Sequence, residues 1–582
     1  MLIRFFQHLS TLLKKPLFWL FFVLIIFTLK GGSSQEVIRS DGRGYYAYLP
    51  SILIYDDASY EKTILAEQKY TDKNQLYLYQ TADGKIFNKY FPGLAVMELP
   101  FFIGASIVSY AIGYPIDGYS EIYNLFTLFA SLFYTILGLL LFKKNILSLF
   151  NVKEKNADYF ILFSVLSTSL FYYFTVTPAF THQYSFFLFN LLFLLILKSK
   201  NRLSKKHLLF IGVTLGMIFL VRPTNILITL AIPLIFSSFK EFSTYLKNIF
   251  NVKTSFLYIG LIGFLIPVSL LFMVWKWQTG EWIVWGYSQE GFNFFSPKII
   301  ENLLSFRIGL LIHHPIYILS FIGLHYMYKE SSFKAKVWLF YFLVNLWVIS
   351  SWWCWDYESN FGNRPLTEHA IILLFPLGYL LKNNRKLGIS FLILFSLLGT
   401  YRYYQAVSGS YSLQRFTASS YFKSLAFWKQ ENNNRWDFTQ TTRPYGTNIE
   451  TFYLKTVDEK TEINEKEEYY LSSKIRLKKN RTNELYYYYV ELDKKIEASP
   501  LQEFFLVIDA VSDDGEFRYY KAINVYQDKF EGEGKWKNVV LSGVIHDNFQ
   551  EADEISIYFW NKGKQNLEIK NLKLRLEVYK AK

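Results

Sequence analysis

Apolar runs of 15 to 22 residues recur from the start of the chain to about residue 405, most of them followed by a polar stretch. A helix needs roughly 20 apolar residues to cross the hydrocarbon of a bilayer, somewhat fewer when flanking side chains reach the interface. The pattern predicts eleven spans, near 12–30, 121–142, 158–176, 183–198, 207–221, 223–239, 255–274, 307–327, 336–352, 367–381 and 387–405. The pair around Arg222-Pro223 is short, because proline removes a backbone donor and interrupts a helix. Beyond about residue 446 the period changes from that of helices to that of strands. Short alternating runs rich in Tyr, Val and Ile, such as Glu484–Leu492, Phe504–Ala510, Ile555–Trp560 and Leu572–Val578, are broken by Asn, Asp and Gly. The expected architecture is a mainly α-helical polytopic membrane domain over 1–405, a linker over 406–445, and an all-β sandwich over 446–582.

One more apolar stretch, Pro92–Gly113, decides the topology. Read as an irregular helix at the outer interface, it leaves the basic clusters on one side: Lys143, Lys144, Lys153 and Lys155; Lys198, Lys200, Arg202, Lys205 and Lys206; Lys240, Lys247 and Lys253; Lys329, Lys334 and Lys336; Lys382, Arg385 and Lys386. The opposite loops after residue 120 carry only Arg222, Lys276, Lys298 and Arg364, with Arg307 at a span edge. Counting 92–113 as a crossing reverses this bias, so the positive-inside rule favours eleven spans with the N-terminus inside and the C-terminus outside. The outer loop 31–120 then contains interfacial helices. The first apolar run ends in no small-residue cleavage site and reads as a signal anchor.

Composition sharpens this picture. The 582 residues are 51% hydrophobic and include 56 Phe and 45 Tyr, which places the chain in the membrane class. The formal charge of +14 is accounted for by the orienting loops, and no nucleic-acid partner is expected. Cys354 is the single cysteine, which excludes an intrachain disulfide and a multi-cysteine metal site. No phosphate-binding glycine loop, dinucleotide fingerprint or zinc-protease motif occurs. No cofactor is expected, and the sequence gives no support to a divalent metal.

The unusual residues gather on the predicted outer side. Asp41 lies in Ser40-Asp41-Gly42-Arg43-Gly44-Tyr45-Tyr46, about ten residues past the first span. It is either a turn residue beside Gly42 or a base at the membrane surface, with Tyr45 and Tyr46 as interfacial rings beside it. Arg222 and Arg364 are candidates for phosphate, since the guanidinium fork binds phosphate oxygens in pairs; each can also be an arginine reaching lipid headgroups. His182 can bind phosphate or shuttle a proton, or be a plain interfacial histidine. Glu98, in an apolar helix, is expected to face a cavity. Asp356 and Glu358 stand among Trp352, Trp353, Trp355 and Tyr357, which suits sugar hydroxyls held against rings or an interfacial aromatic belt; the loop from Trp275 to Tyr287 has the same ambiguity. His313 and His314 are adjacent and point apart on a helix, so they read as packing and not as a metal pair.

A first span, an outer loop with an early aspartate, and an aromatic surface helix opening at Tyr90-Phe91-Pro92-Gly93 together resemble the GT-C glycosyltransferases, as do Arg222-Pro223-Thr224-Asn225 and Trp352–Trp355 with Phe361-Gly362-Asn363-Arg364. The resemblance covers about residues 10–405. It implies a multi-spanning bacterial enzyme of the inner membrane that moves a sugar from a polyprenyl-phosphate carrier to a cell-envelope glycan, lipid or protein. It also implies that Asp41 is the catalytic base. Gly42 stands where many members carry a second acidic residue. The end of the chain, with Trp536, Ile555–Asn561 and Ile569–Leu572, resembles jelly-roll carbohydrate-binding modules, for which a structural sandwich is the alternative. Two other classes remain: a transporter or flippase of lipid-linked sugars, against which stand the lack of a clear internal repeat and the clustering of charges at one interface, and a non-catalytic envelope scaffold.

With Cys354 replaced by serine, a reporter cysteine beside Arg202 should react only with reagents reaching the inner face, and one beside Lys562 only with impermeant reagents outside; labelling of both from one side overturns the eleven-span arrangement.

Overall fold

The structure, a computed structural model, describes residues 15–34, 37–70, 78–80, 85–251, 256–284, 286, 290–357, 361–408, 421–422, 446–457, 460–464, 466, 468–477, 484–495, 504–511, 513, 518–525, 536–545, 554–562 and 566–581. Glu358, Trp285, Tyr287, Phe427, Trp428 and Trp436 lie outside the described residues. The chain divides into two compact units, one of residues 1–59 and 77–430, the other of 60–76 and 431–582. Residues 60–76, within the stretch read as the first outer loop, thus belong to the second unit.

Helices occupy the apolar runs of the first unit. Among the described residues, five helices are long and apolar enough to cross a membrane: Gly93–Ile112, Glu121–Phe150, Phe256–Thr279, Ser332–Ser350 and Arg385–Val407. Two bent pairs raise the number to seven if each is one span. The first pair, Glu154–Ser167 and Leu170–Val176, turns by 75°. The turn falls on Ser167-Thr168-Ser169. Ser167 Oγ donates to the Phe163 carbonyl at 2.5 Å and Thr168 Oγ1 to the Ser164 carbonyl at 2.7 Å, so side chains compete with the helical ladder. The second pair, Pro223–Ile235 and Phe239–Ile249, turns by 118°, and its first member is a 3-10 helix. The runs at 12–30 and 367–381 give the shorter apolar helices Pro16–Lys30 and Ala370–Asn383. His182–Asn201 and Lys205–Val221 complete the set around the site described below.

Gly93–Ile112, expected as an irregular surface helix, is one continuous helix of 20 residues with Pro100 inside it and the length and hydropathy of a crossing. It runs antiparallel to the first half of Glu121–Phe150: Tyr134 donates to the Met97 carbonyl at 2.9 Å, and the Ser106 and Tyr123 hydroxyls lie 2.9 Å apart. Ile103, Ile107 and Tyr110 form an exposed stripe on its other side. Glu121–Phe150 itself, at 30 residues and about 1.5 Å per residue, is roughly 45 Å long, more than the hydrocarbon thickness of a bilayer. Lys205–Val221 and Phe256–Thr279 pack backbone to backbone; a Cβ on Gly212 would lie 2.1 Å from the Gly260 carbonyl oxygen.

The second unit contains two antiparallel sheets. After the hairpin β1 (Leu78–Gln80) and β2 (Ile86–Asn88) of the first unit come β3 (Gly446–Val457), β4 (Thr461–Ile463), β5 (Tyr469–Arg476), β6 (Glu484–Lys495), β7 (Phe504–Val511), β8 (Arg518–Asn524), β9 (Trp536–Ile545), β10 (Glu554–Asn561) and β11 (Leu567–Ala581). One sheet has the order β5-β10-β7-β8; the other β3-β11-β6-β9, with β4 beside β11. The period of two sets the core. Ile555, Ile557 and Phe559 of β10, Leu506 and Ile508 of β7, Tyr486, Tyr488, Val490 and Leu492 of β6, and Leu572, Leu574 and Leu576 of β11 join in one apolar cluster drawn from both sheets.

Gly93 opens its helix against the end of Lys205–Val221, where a Cβ would lie 2.3 Å from Val221 N and 2.4 Å from the Leu220 carbonyl carbon. Backbone cannot yield as a side-chain tip can, so Gly93→Ala should destabilise by about 1–3 kcal/mol and lower the unfolding temperature of the detergent-solubilised protein. Gly291→Ala, with nothing near its Cβ, should leave it unchanged.

Candidate functional site

Asp41 begins the short helix Asp41–Tyr46, and two glycines let that helix sit close to its neighbours. A Cβ on Gly42 would lie 2.8 Å from the Ala179 Cβ, and one on Gly44 would lie 2.1 Å from the Tyr90 ring. Asn88 fixes the approach of Tyr90. Its side chain donates to the Gly44 carbonyl at 2.6 Å and accepts from the Tyr90 amide at 3.0 Å. Tyr90 then donates its hydroxyl to Asp41 Oδ1 at 2.8 Å. Tyr45 packs its ring on Tyr90, with centroids 4.5 Å apart.

The other Asp41 oxygen, Oδ2, is bound by Arg364 Nη2. Arg364 follows a turn at Gly362, whose φ of +65° lies in the left-handed region that favours glycine, and precedes Pro365. Its guanidinium stands over the Phe180 ring at 5.1 Å, a cation–π contact. Burial pushes the Arg364 guanidinium down to about 10, and the charge of Glu368 acts in the opposite sense; it stays cationic at neutral pH. Phe180 belongs to the tight turn Pro178–His182. Gln183 locks this turn by donating from Nε2 to the Pro178 carbonyl and, at 3.2 Å, to Ser131 Oγ.

One turn past Arg364, Glu368 is fully buried. His182 Nδ1–H donates to its Oε2 at 2.7 Å, Asn225 Nδ2 donates to Oε1 at 3.2 Å, and Arg222 Nη1 lies 3.5 Å from Oε1. Asn225 also donates to Ser185 Oγ at 2.9 Å. Pro223 explains the pose of Arg222: the residue before a proline is driven out of the helical region, and Arg222 is extended at φ −159° and ψ 113°, ending Lys205–Val221. Arg222, Asn225, Phe292, Tyr357 and His369 line a small recess. Phe292 is placed there by a β-bridge to Trp352, with Trp353 N donating to the Gly291 carbonyl at 2.9 Å.

Four residues singled out from sequence fall in two neighbouring groups, Asp41 with Arg364 and His182 with Arg222 on Glu368, and Phe180 lies between them, against Arg364 on one side and 6.3 Å from the His182 ring on the other; Tyr45 joins through Tyr90. The other candidates are held elsewhere. Tyr46 turns its hydroxyl to the Gly118 carbonyl at 2.7 Å and packs on Phe102 and Tyr119. Glu98 is buried and accepts from the Tyr184 hydroxyl at 2.5 Å. Asp356 is paired with Arg307 and accepts from Cys354 Sγ at 3.4 Å. Sequence reasoning missed Glu368, and it quoted Tyr90 and Asn225 only within motifs, with no role at the site. Glu368 had a signal: it is the one acidic residue in the run 365–381, where an unpaired charge is costly. Among the described residues, no group of three His, Cys, Asp or Glu side chains is placed to share a metal ion.

Two carboxylates and two guanidiniums balance in the cluster. It offers a carboxylate for proton transfer next to cations suited to an anionic group.

No family model matches the sequence, and no curated protein does. Among solved structures, the arabinosyltransferase EmbB from Mycobacterium smegmatis is similar over 93% of this chain and 65% of its own, at 9% identity and a TM-score of 0.34. The chain thus spans just under two thirds of that protein's length, and a likeness at this score carries neither fold nor function across.

Removing one partner from a buried ion cluster leaves the others uncompensated, at a cost of about 3–5 kcal/mol. Glu368→Ala should therefore lower the unfolding temperature sharply. Glu368→Gln, which keeps the shape and can still accept from His182 and Asn225, should lower it less.

Proposed function

We propose that the first unit is a polytopic membrane glycosyltransferase whose site is the Asp41 cluster. The donor in this reading is a sugar on a polyprenyl phosphate. The acceptor is a hydroxyl of a cell-envelope glycan, lipid or protein. The membrane is the bacterial inner membrane, crossed eleven times with the site and the β unit on the outer side, and the β unit is a carbohydrate-binding-module-like sandwich. The observation that carries the reading is the Asp41–Arg364 contact. A carboxylate able to take a proton touches a cation able to hold a phosphate, beside a second arginine and a histidine, at the ends of apolar helices.

The chemistry needs few parts. The acceptor hydroxyl gives its proton to Asp41 as its oxygen bonds to the anomeric carbon. The bond from that carbon to the phosphate oxygen breaks, and its electron pair leaves with the phosphate. Positive charge beside the phosphate stabilises the developing anion, and attack from the face opposite the leaving group inverts the anomeric centre. Tyr90 and the two glycines hold the carboxylate in place; Phe180 supports the guanidinium.

A general base contributes about 10²–10⁴-fold to a rate. Asp41→Asn should lose that much sugar transfer while inserting in the membrane normally, followed by mass spectrometry of envelope glycans and polyprenyl-linked sugars from cells with the wild-type or variant gene. Unchanged product would remove the catalytic assignment and leave transport or scaffolding.

A further inference from the structure

Both oxygens of Asp41 are engaged: Oδ1 by the Tyr90 hydroxyl and Oδ2 by Arg364. The oxygen that a substrate hydroxyl must reach is the one under the guanidinium. The cluster has two arginines, and they differ in what they hold. Arg222 is paired with Glu368, which has no exposure, so drawing Arg222 away leaves a carboxylate out of water with only His182 and Asn225 to meet it, and that is costly. Arg364 is paired with Asp41, whose side chain is 18% exposed, so water or a hydroxyl can replace the guanidinium there. An incoming phosphate can therefore take Arg364 at lower cost than Arg222. The Phe180 ring supports the Arg364 guanidinium from its face and leaves its edges to exchange partners.

We propose that Arg364 is shared between Asp41 and the donor: the phosphate takes the guanidinium from Asp41, Oδ2 then opens to the acceptor hydroxyl, and the donor binds before the acceptor. This rests on the polyprenyl-phosphate reading above. Once Arg364 has moved, the hydroxyl proton passes to Oδ2, the hydroxyl oxygen bonds to the anomeric carbon, and the bond to the phosphate oxygen breaks with its electron pair going to the phosphate, where Arg364 meets the new charge. Tyr90 keeps Oδ1 throughout and acts as a positioning residue. Because a ligand shifts an equilibrium only by its difference in affinity for the two states, the coupling must appear with the phosphate lipid and be missing with the same lipid lacking phosphate.

The test uses the full-length protein in nanodiscs. Asp41 is coupled to glycine ethyl ester with a water-soluble carbodiimide and the modified peptide is quantified by mass spectrometry, with undecaprenyl phosphate, with undecaprenol, or with neither; lipid binding is followed by native mass spectrometry. Undecaprenyl phosphate should raise the modification rate of Asp41 about tenfold, the scale on which a charge-assisted contact withholds a group, and undecaprenol should not. In Arg364→Gln, Asp41 should react fast with or without the lipid phosphate. Bound undecaprenyl phosphate with no change in wild-type Asp41 reactivity overturns the exchange and leaves the donor class standing. Failure of undecaprenyl phosphate to bind removes the donor class and the exchange together. The wild-type comparison decides the matter even if the variant does not fold.

Discussion

A carboxylate wholly removed from water must be met by positive charge or by donors, and Glu368 is met from three directions. His182 comes from the start of one helix, Arg222 from the end of another, and Asn225 from the 3-10 turn that follows. None of these is near Glu368 in sequence. Their convergence fixes the register of the helix ends against one another, because a buried ion that loses a partner costs several kcal/mol while one surface pair contributes little. Asp41 and Arg364 lie further out, with side chains that reach water where Glu368 does not.

The backbone geometry serves that arrangement. Pro223 ends a helix so that Arg222 projects extended, and Gly362 turns the chain ahead of Arg364. Gly42 and Gly44 bring the Asp41 helix within contact distance of the Pro178–His182 turn and of Tyr90. The small side chains set the distances, and the charged ones use them.

Much of this was legible in the sequence, for a physical reason. Apolar runs of helical length, and the switch to alternation after residue 446, are dictated by burial and show in composition alone. Arg222 stood out because charge inside an apolar hairpin is expensive, and Asp41, His182 and Arg364 because each lies in a loop or turn on the predicted outer side. Charge cost also marked Glu98, and neighbouring aromatic rings marked Asp356; here pattern reached its limit. Pattern says that a charge needs a partner, but the partner, Tyr184 for one and Arg307 for the other, depends on folding. Tyr90 was read only as the opening of a surface helix: among 45 tyrosines one more carries little contrast, and its 2.8 Å contact with Asp41 is what places it at the site. Glu368 was absorbed into a run read as a span, because a window average of hydropathy dilutes one carboxylate.

Residues 60–76 have their own consequence. They are covalently inserted in the first unit and grouped with the β unit that begins some 370 residues later. The polypeptide therefore crosses from one body to the other three times, near 59, 77 and 430, and not once at a hinge. A proteolytic nick after residue 430 leaves residues 60–76 on the N-terminal fragment, apart from the strands with which they are grouped.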